Sequence, residues 1–175
     1  MFEQKGQLLV VDQHAFHERV LYEKLLLDPG DYIKPQTLLI PECVELSFSE
    51  IALLKESKER FQLTGFDYEI LGDTSLELRA VPVVLQKREA GELMSAMAQV
   101  LDSGENSDHS KNVAHLEFAT IACHSAVRAG ERLTEIELKN LLSQADGIDF
   151  FHNCPHGRRV FRWFQKSNVE SWFDR

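Results

Sequence analysis

Two clusters of metal-ligand residue types stand at opposite ends of this 175-residue chain: Asp12-Gln13-His14-Ala15-Phe16-His17-Glu18 near the start and Cys154-Pro155-His156-Gly157-Arg158 near the finish. Carboxylate, imidazole and thiolate together are the ligand set of zinc and its first-row neighbours. If both clusters serve one ion, the fold must join the two ends of the chain around everything between them. Metal chemistry is therefore the first functional expectation.

The local patterns give the elements such a fold would use. Gln7-Leu8-Leu9-Val10-Val11 reads as a buried strand that delivers Asp12 at its carboxyl end, and His14 to Leu27 has helical spacing until Pro29-Gly30 stops it. The first cluster thus sits at a strand-to-helix junction. Thr37 to Ile40 reads as a short strand, and Ser47-Phe48-Ser49-Glu50 as a capping box opening a helix toward Gly65. Phe66, Tyr68 and Ile70 alternate, Gly72-Asp73 supplies a turn, and Leu76, Leu78 and Ala80 alternate again, which predicts a hairpin. Leu93, Met97, Val100 and Leu101 form a helical apolar face, followed by a polar stretch, Asp102 to Lys111, that reads as a mobile loop. Leu116 to Val127 predicts a helix containing Cys123, and Thr134-Glu135-Ile136-Glu137 opens a capped helix ending near Gly147. A strand, roughly Arg159 to Phe164, and a short helix opened by Ser167-Asn168-Val169-Glu170 complete the chain, which has no internal repeats.

Each chemical signal has an ordinary counterpart. His14 and Glu18, four apart, share one helix face and could hold an ion or form a solvated pair. Asp12 suits a ligand or the helix N-cap. His17 and Glu23 point off that face, toward surface or interface roles. Cys123 falls on an apolar helix face, where a buried inert cysteine is common. Cys154 and His156, two apart, fit a turn or an extended segment that presents both side chains to one ion, with Pro155 and Gly157 fixing the backbone, or a packed cysteine beside a surface histidine.

Composition narrows the setting. At 43% hydrophobic the chain can bury an ordinary core, as one domain or one domain with an inserted lobe. No signal-peptide pattern opens it, and no apolar run approaches the ~18 residues of a membrane-spanning helix, so a soluble protein with no membrane partner is expected. Three cysteines, Cys43, Cys123 and Cys154, make a poor disulfide framework and suit a reducing, cytoplasmic setting. A formal net charge of −9 repels phosphate on average, so intrinsic affinity for DNA should be weak and delivery by another protein useful. Arg158, Arg159, Arg162 and Lys166 nonetheless follow directly on the second cluster, with Arg128 and Arg132 in another group; each is a basic patch or a solvated face.

The run Asp12-Gln13-His14-Ala15, then Glu18, then Glu23 reads as DQHA-x2-E-x4-E, and Ala122-Cys123-His124, Cys154-Pro155-His156-Gly157-Arg158 and Phe173-Asp174-Arg175 follow in order. Over essentially its whole length the chain resembles the C-terminal endonuclease domain of MutL-type DNA mismatch repair proteins. Two positions depart from that pattern: His124 stands where the family usually has arginine, and Arg159 where it usually has proline. The family's N-terminal ATPase region and linker have no counterpart here, and the family places strand sequence before the one at Gln7, so the chain reads as an excised fragment.

The resemblance implies an α/β (α+β), two-lobed fold. Residues 1–30 and 109–175 would form a dimerisation lobe carrying the metal and endonuclease site, and residues 31–108 an inserted regulatory lobe. It also implies metal-assisted hydrolysis of one phosphodiester, leaving a nick in one strand of double-stranded DNA. Glu18 would be the central ligand, His14, Cys154 and His156 would complete a site favouring zinc, and Asp12 would help hold a second ion, manganese or magnesium. Cys123 would lie at the edge of the site, and Arg158, with Arg159, would orient the phosphate. By resemblance zinc is structural or regulatory and manganese supports nicking.

Gln36-Thr37-Leu38-Leu39-Ile40-Pro41 fits Q-x-x-L-x-P, similar to the motif by which bacterial MutL proteins bind the replication sliding clamp. Gln36 would enter a polar pocket and Leu39 an apolar one, with Pro41 closing the motif; the alternative is a plain strand. Clamp docking would offset the charge problem by raising the effective concentration of an acidic domain on DNA. The remaining partners implied are a second copy of the chain, the ATPase region and a mismatch-recognition protein. A non-catalytic, zinc-stabilised dimerisation and docking module remains the alternative. A zinc peptidase is excluded because neither HExxH nor HxxEH is present.

Overall fold

A computed structural model of the chain describes residues 2–4, 6–85, 90–104, 110–128, 130–148 and 153–174. It is a mixed helix and strand structure of the α+β class. Its residues group into two compact units, 1–23 with 126–175, and 24–125. Among the described residues no helix is long and apolar enough to cross a membrane.

In the first unit, strands β1 (Phe2–Gln4), β2 (Gln7–Val11) and β6 (Phe161–Gln165) form an antiparallel sheet in the order β1-β2-β6. β2 is central and pairs Val11 with Phe161 and Gln7 with Gln165. A further strand, β1, which the sequence reading did not identify, precedes Gln7 and pairs Phe2 to Leu9 through Gln4 to Gln7. Helix α1 (Gln13–Leu27) follows β2 immediately, opened by Asp12, whose Oδ1 accepts from the Ala15 amide at 3.0 Å as an N-cap. Its residues Ala15, Phe16 and Val20 pack with Val160, Cys154 and Leu141 of α6 (Glu135–Ser143) into one apolar cluster. Full burial of each Val, Leu or Phe stabilises by about 1.5–3 kcal/mol. α6 opens on the capping box read from Thr134 and Glu137, both reciprocal bonds being made.

The second unit holds β3 (Pro35–Glu45), α2 (Phe48–Glu56), α3 (Lys58–Leu63), β4 (Asp67–Ile70), β5 (Ser75–Pro82), α4 (Ala90–Gly104) and α5 (Ser110–Ser125). Its antiparallel sheet runs β3-β5-β4, and the expected hairpin is β4 and β5. Leu76, Leu78 and Ala80 alternate into a core with Leu54, Phe61, Phe66, Tyr68, Leu93, Met94, Met97 and Ile121. Tyr68 is fully buried; its hydroxyl donates to the Leu54 carbonyl at 2.7 Å, and burial drives its pKa well upward. Glu117, buried on α5, is gripped by Arg60 of α3 through two contacts of 2.6 and 3.2 Å; burial pushes its carboxyl up while the guanidinium pulls it down.

Several boundaries differ from those read in the sequence. β3 is not a short strand over Thr37 to Ile40 but eleven residues long, and it breaks register: Thr37 faces Ala80 and Glu42 faces Leu78, so residues 38–41 stand opposite Arg79 alone. The helix opened at Ser47 keeps its capping box but breaks at Ser57 into α2 and α3. Residues 102–104 and 110–111, expected in a loop, are helical; the middle of that stretch, 105–109, lies outside the described residues. α5 accordingly starts at Ser110 rather than Leu116. The last strand starts at Phe161 rather than Arg159, and α7 (Lys166–Ser171) has no side-chain cap, so the Ser167 signal went unused.

Gly65 ends α3 with φ +89°, and a Cβ there would lie 2.1 Å from the Ile33 carbonyl oxygen. Gly65→Ala is expected to lower the unfolding free energy by on the order of 3 kcal/mol. Gly130→Ala, where φ is +91° but nothing lies within 4 Å, should lower it by only about 1 kcal/mol. Urea unfolding of the two variants checks both the steric and the dihedral contribution.

Candidate metal centre

The centre is built on the first two turns of α1. Glu18 is 0% exposed, and His14, one turn earlier, places Nε2 3.6 Å from Glu18 Oε2. His14 Nδ1 lies 2.9 Å from the Val127 carbonyl oxygen. A carbonyl only accepts, so Nδ1 carries a proton, and Nε2 is the ring nitrogen turned toward Glu18. His17, expected at a surface or interface, is instead half-buried, and its Nδ1 accepts from the Val127 amide at 3.1 Å.

The second cluster meets the first through a turn. The Gly157 amide donates to the Cys154 carbonyl at 2.8 Å, and the Cys154 amide donates to the Arg158 carbonyl at 2.8 Å. Pro155, His156 and Gly157 thus form a three-residue hairpin loop, in which proline suits the second turn position and Gly157, at φ +81°, takes the left-handed one. This loop directs His156 Nδ1 to Glu18 Oε1 at 2.5 Å and buries Cys154 against the same carboxylate. One ligand atom each from Glu18, Cys154 and His156 lie within 4.8 Å of one another.

The electrostatics are unbalanced. Among the described residues Glu18 Oε2 has no hydrogen-bond partner. The atom facing it, His14 Nε2, lies 3.6 Å away. A buried carboxylate oxygen without a hydrogen bond is unfavourable unless a proton or a cation lies beside it. Burial pushes the Cys154 thiol pKa up; the amides of Arg158 and His156 oppose this, and the Glu18 carboxylate reinforces it. A divalent cation would reverse these penalties by stabilising carboxylate and thiolate together. The donors fit the group: a thiolate, two imidazoles and a carboxylate are a borderline-soft set suited to zinc.

The other expected site residues are placed as follows. Asp12 is exposed, caps α1 through Oδ1, and ties the junction by donating its amide to the Val160 carbonyl at 2.9 Å; it is not among the clustered ligand atoms. Arg158 and Arg159 are exposed at the exit of the loop. Cys123, half-buried on α5, belongs to the second unit, as do the three residues of the clamp pattern. Gln36 is exposed within β3, and Leu39 and Ile40, in the excursion opposite Arg79, are 99% and 79% exposed, with Pro41 beside them.

Two groups escaped the sequence reading. The Val127 carbonyl has no signature, because a backbone acceptor is identical in every residue. Arg19 had one: its i,i+4 spacing to Glu23 predicts a pair. That pair exists at 2.5 Å, and Arg19 Nη1 also donates to the Asn153 carbonyl at 3.1 Å, which holds the approach to Cys154 on α1.

The profile of the family described as MutL C terminal dimerisation domain matches residues 1–133. The chain is 37% identical to the DNA mismatch repair protein MutL of Geobacter sp. (strain M21) over 98% of its own length and 27% of that protein. It is 36% identical to the MutL of Geotalea daltonii (strain DSM 22248 / JCM 15807 / FRC-32) over 97% of the chain and 29% of that protein. To the MutL of Clostridium botulinum (strain Kyoto / Type A2) it is 33% identical over 100% of the chain and 26% of the relative. The chain therefore spans little more than a quarter of the length of these curated relatives. The alignments nonetheless extend past residue 133 to include the loop of Cys154 and His156.

The imbalance at Glu18 has a measurable consequence. After chelator treatment the chain should take up zinc and gain about 2.7 kcal/mol of stability at a hundredfold excess over the dissociation constant. Glu18→Gln should abolish that gain, because the carboxylate that would hold the ion is gone. Thermal unfolding with and without zinc reads both; a Glu18→Gln variant that still gains stability from zinc would remove Glu18 from the centre.

Proposed function

The chain belongs to the MutL C terminal dimerisation domain family, and from that premise we propose that it is the metal-dependent, DNA-nicking endonuclease domain of a mismatch repair protein, acting as a homodimer. The observation that carries this reading is the convergence of His14 Nε2, Cys154 and His156 on the buried Glu18 carboxylate. When bound, a divalent ion supplies Lewis acidity that polarises the phosphodiester and lowers the pKa of a water molecule. The unit formed by the two chain ends is the dimerisation lobe on this reading, and the other unit is regulatory.

Glu18 holds the cation, assisted by His14, Cys154 and His156; zinc suits this softer set, while manganese or magnesium suits the harder Asp12 nearby in sequence. Asp12 keeps one oxygen on the helix cap and offers the other to an ion. Arg158 and Arg159, exposed at the loop exit, bind and orient the phosphate by charge-assisted hydrogen bonds. Burial at Glu18 excludes water from one side of the centre.

The net charge of −9 opposes DNA binding, so docking on the sliding clamp is part of the proposal. Exposing Leu39 and Ile40 on a bulged edge segment is unfavourable in isolation and suits an apolar pocket on a partner. The ATPase region and a mismatch-recognition protein would act in the longer protein.

The engagement of Asp12 as a cap favours the second reading, a zinc-stabilised dimerisation module without catalysis. Asn caps helices as well as Asp does, so Asp12→Asn isolates the charge. The nicking reading expects supercoiled plasmid cleavage in manganese to fall by at least about a hundredfold in Asp12→Asn, a loss exceeding that typical of outer-layer partners, with zinc content and melting temperature unchanged. Undiminished nicking would make Asp12 a cap only. In a parallel assay with clamp and loader, the double substitution Gln36→Ala, Leu39→Ala should abolish stimulation while leaving basal nicking intact; unchanged stimulation would remove the clamp docking.

A further inference from the structure

Val127, two residues past the end of α5, is buried, and both of its backbone polar groups are taken by histidines one turn apart on α1. Its amide donates to His17 Nδ1 at 3.1 Å, and its carbonyl accepts from His14 Nδ1 at 2.9 Å. The two bonds lie on either side of one Cα, so together they restrain both backbone dihedrals of that residue. An amide can only donate, which makes His17 Nδ1 bare; a carbonyl can only accept, which puts a proton on His14 Nδ1. The two rings are therefore held in opposite tautomers by a single residue.

We propose that His17 is a positioning residue for the metal centre: it anchors Val127 so that the Val127 carbonyl selects the Nδ1–H tautomer of His14 and turns its bare Nε2 toward Glu18. The proposal rests on the metal-centre reading of Glu18, Cys154 and His156. His14 alone does not secure this. A neutral imidazole in water favours the Nε2–H tautomer, which would place a proton where the ligand lone pair must be. The carbonyl selects against that form only while it stays in line with Nδ1, and a residue just beyond a helix end has no helical hydrogen bond to hold it there. The His17 bond supplies the missing restraint. It also satisfies the Val127 amide, a donor that would otherwise be buried unpaired. His17 thus acts on the centre through another residue and is not itself a ligand.

The test reads tautomers in the metal-free chain. Two-bond proton–nitrogen correlation spectra should show His14 as Nδ1–H and His17 as Nε2–H in the wild type. His17→Leu removes the acceptor and should shift His14 mainly to Nε2–H and weaken zinc affinity by about 10–100-fold. His17→Asn, whose Oδ1 stands where Nδ1 stood, should restore both. A wild-type spectrum with His14 as Nε2–H, or with the proton on His17 Nδ1, overturns the proposal whether or not either variant folds. So does a folded His17→Leu chain with His14 tautomer and zinc affinity unchanged. A wild-type chain that shows the expected tautomers but takes up no zinc overturns the reading of the centre instead, and the two failures are distinguished because the spectra require no metal.

Discussion

A fully buried carboxylate, one of whose oxygens has no hydrogen bond among the described residues, governs the first unit. Taking an ionised group out of water is unfavourable by several kcal/mol unless it is paired, and the described groups turned toward Glu18 are imidazole nitrogens and a thiol. The surrounding structure makes sense as a device for maintaining that situation. The apolar cluster of Ala15, Phe16, Val20, Leu141 and Val160 supplies the stability that offsets it. Arg19, which could have neutralised Glu18, is turned instead to Glu23 and Asn153.

Topology explains why the two ligand clusters meet. β2 runs into α1, and the loop of Cys154 runs toward β6, while β2 and β6 pair antiparallel with Val11 opposite Phe161. The start of α1 and the end of the Cys154 loop must then emerge at the same end of the sheet. The Asp12 amide bond to Val160 carries the pairing one step further, to the edge of the centre. From there the three-residue loop closes the remaining distance, its shape set by Pro155 and Gly157. Register, cap and loop each fix a few ångströms, and the cluster is their sum.

The second unit obeys a different logic. Its sheet alternates cleanly on β5, where Leu76, Leu78 and Ala80 turn inward, yet on β3 the register slips and four residues face one. That slip releases Leu39 and Ile40 from the sheet's inward and outward alternation and leaves both in solvent. An edge strand that bulges is protected from pairing with other sheets, so the exposed leucine is available to a pocket rather than to another strand.

Much of this was legible in the residues themselves. The capping boxes at Ser47 and Thr134 and the β4–β5 hairpin are local events, decided by propensity and short-range hydrogen bonds, and the residues determined them without help; the Asp12 cap and the turn around Pro155 and Gly157 were each one of two readings the residues allowed. The same holds for the helical face shared by His14 and Glu18. The features outside its reach depend on partners distant in the chain. The length of β3 depends on β5, the break at Ser57 on how α2 and α3 each pack, and the roles of His17, Arg19 and Val127 on backbone atoms at positions 127 and 153 that carry no residue-specific mark. Sequence alone named the candidate ligands, because ligand chemistry belongs to side chains. Only the tertiary structure decided that Glu18 would be buried, with one oxygen lacking a hydrogen bond among the described residues, because desolvation and unmet hydrogen bonds arise only once the rest of the chain has closed around it.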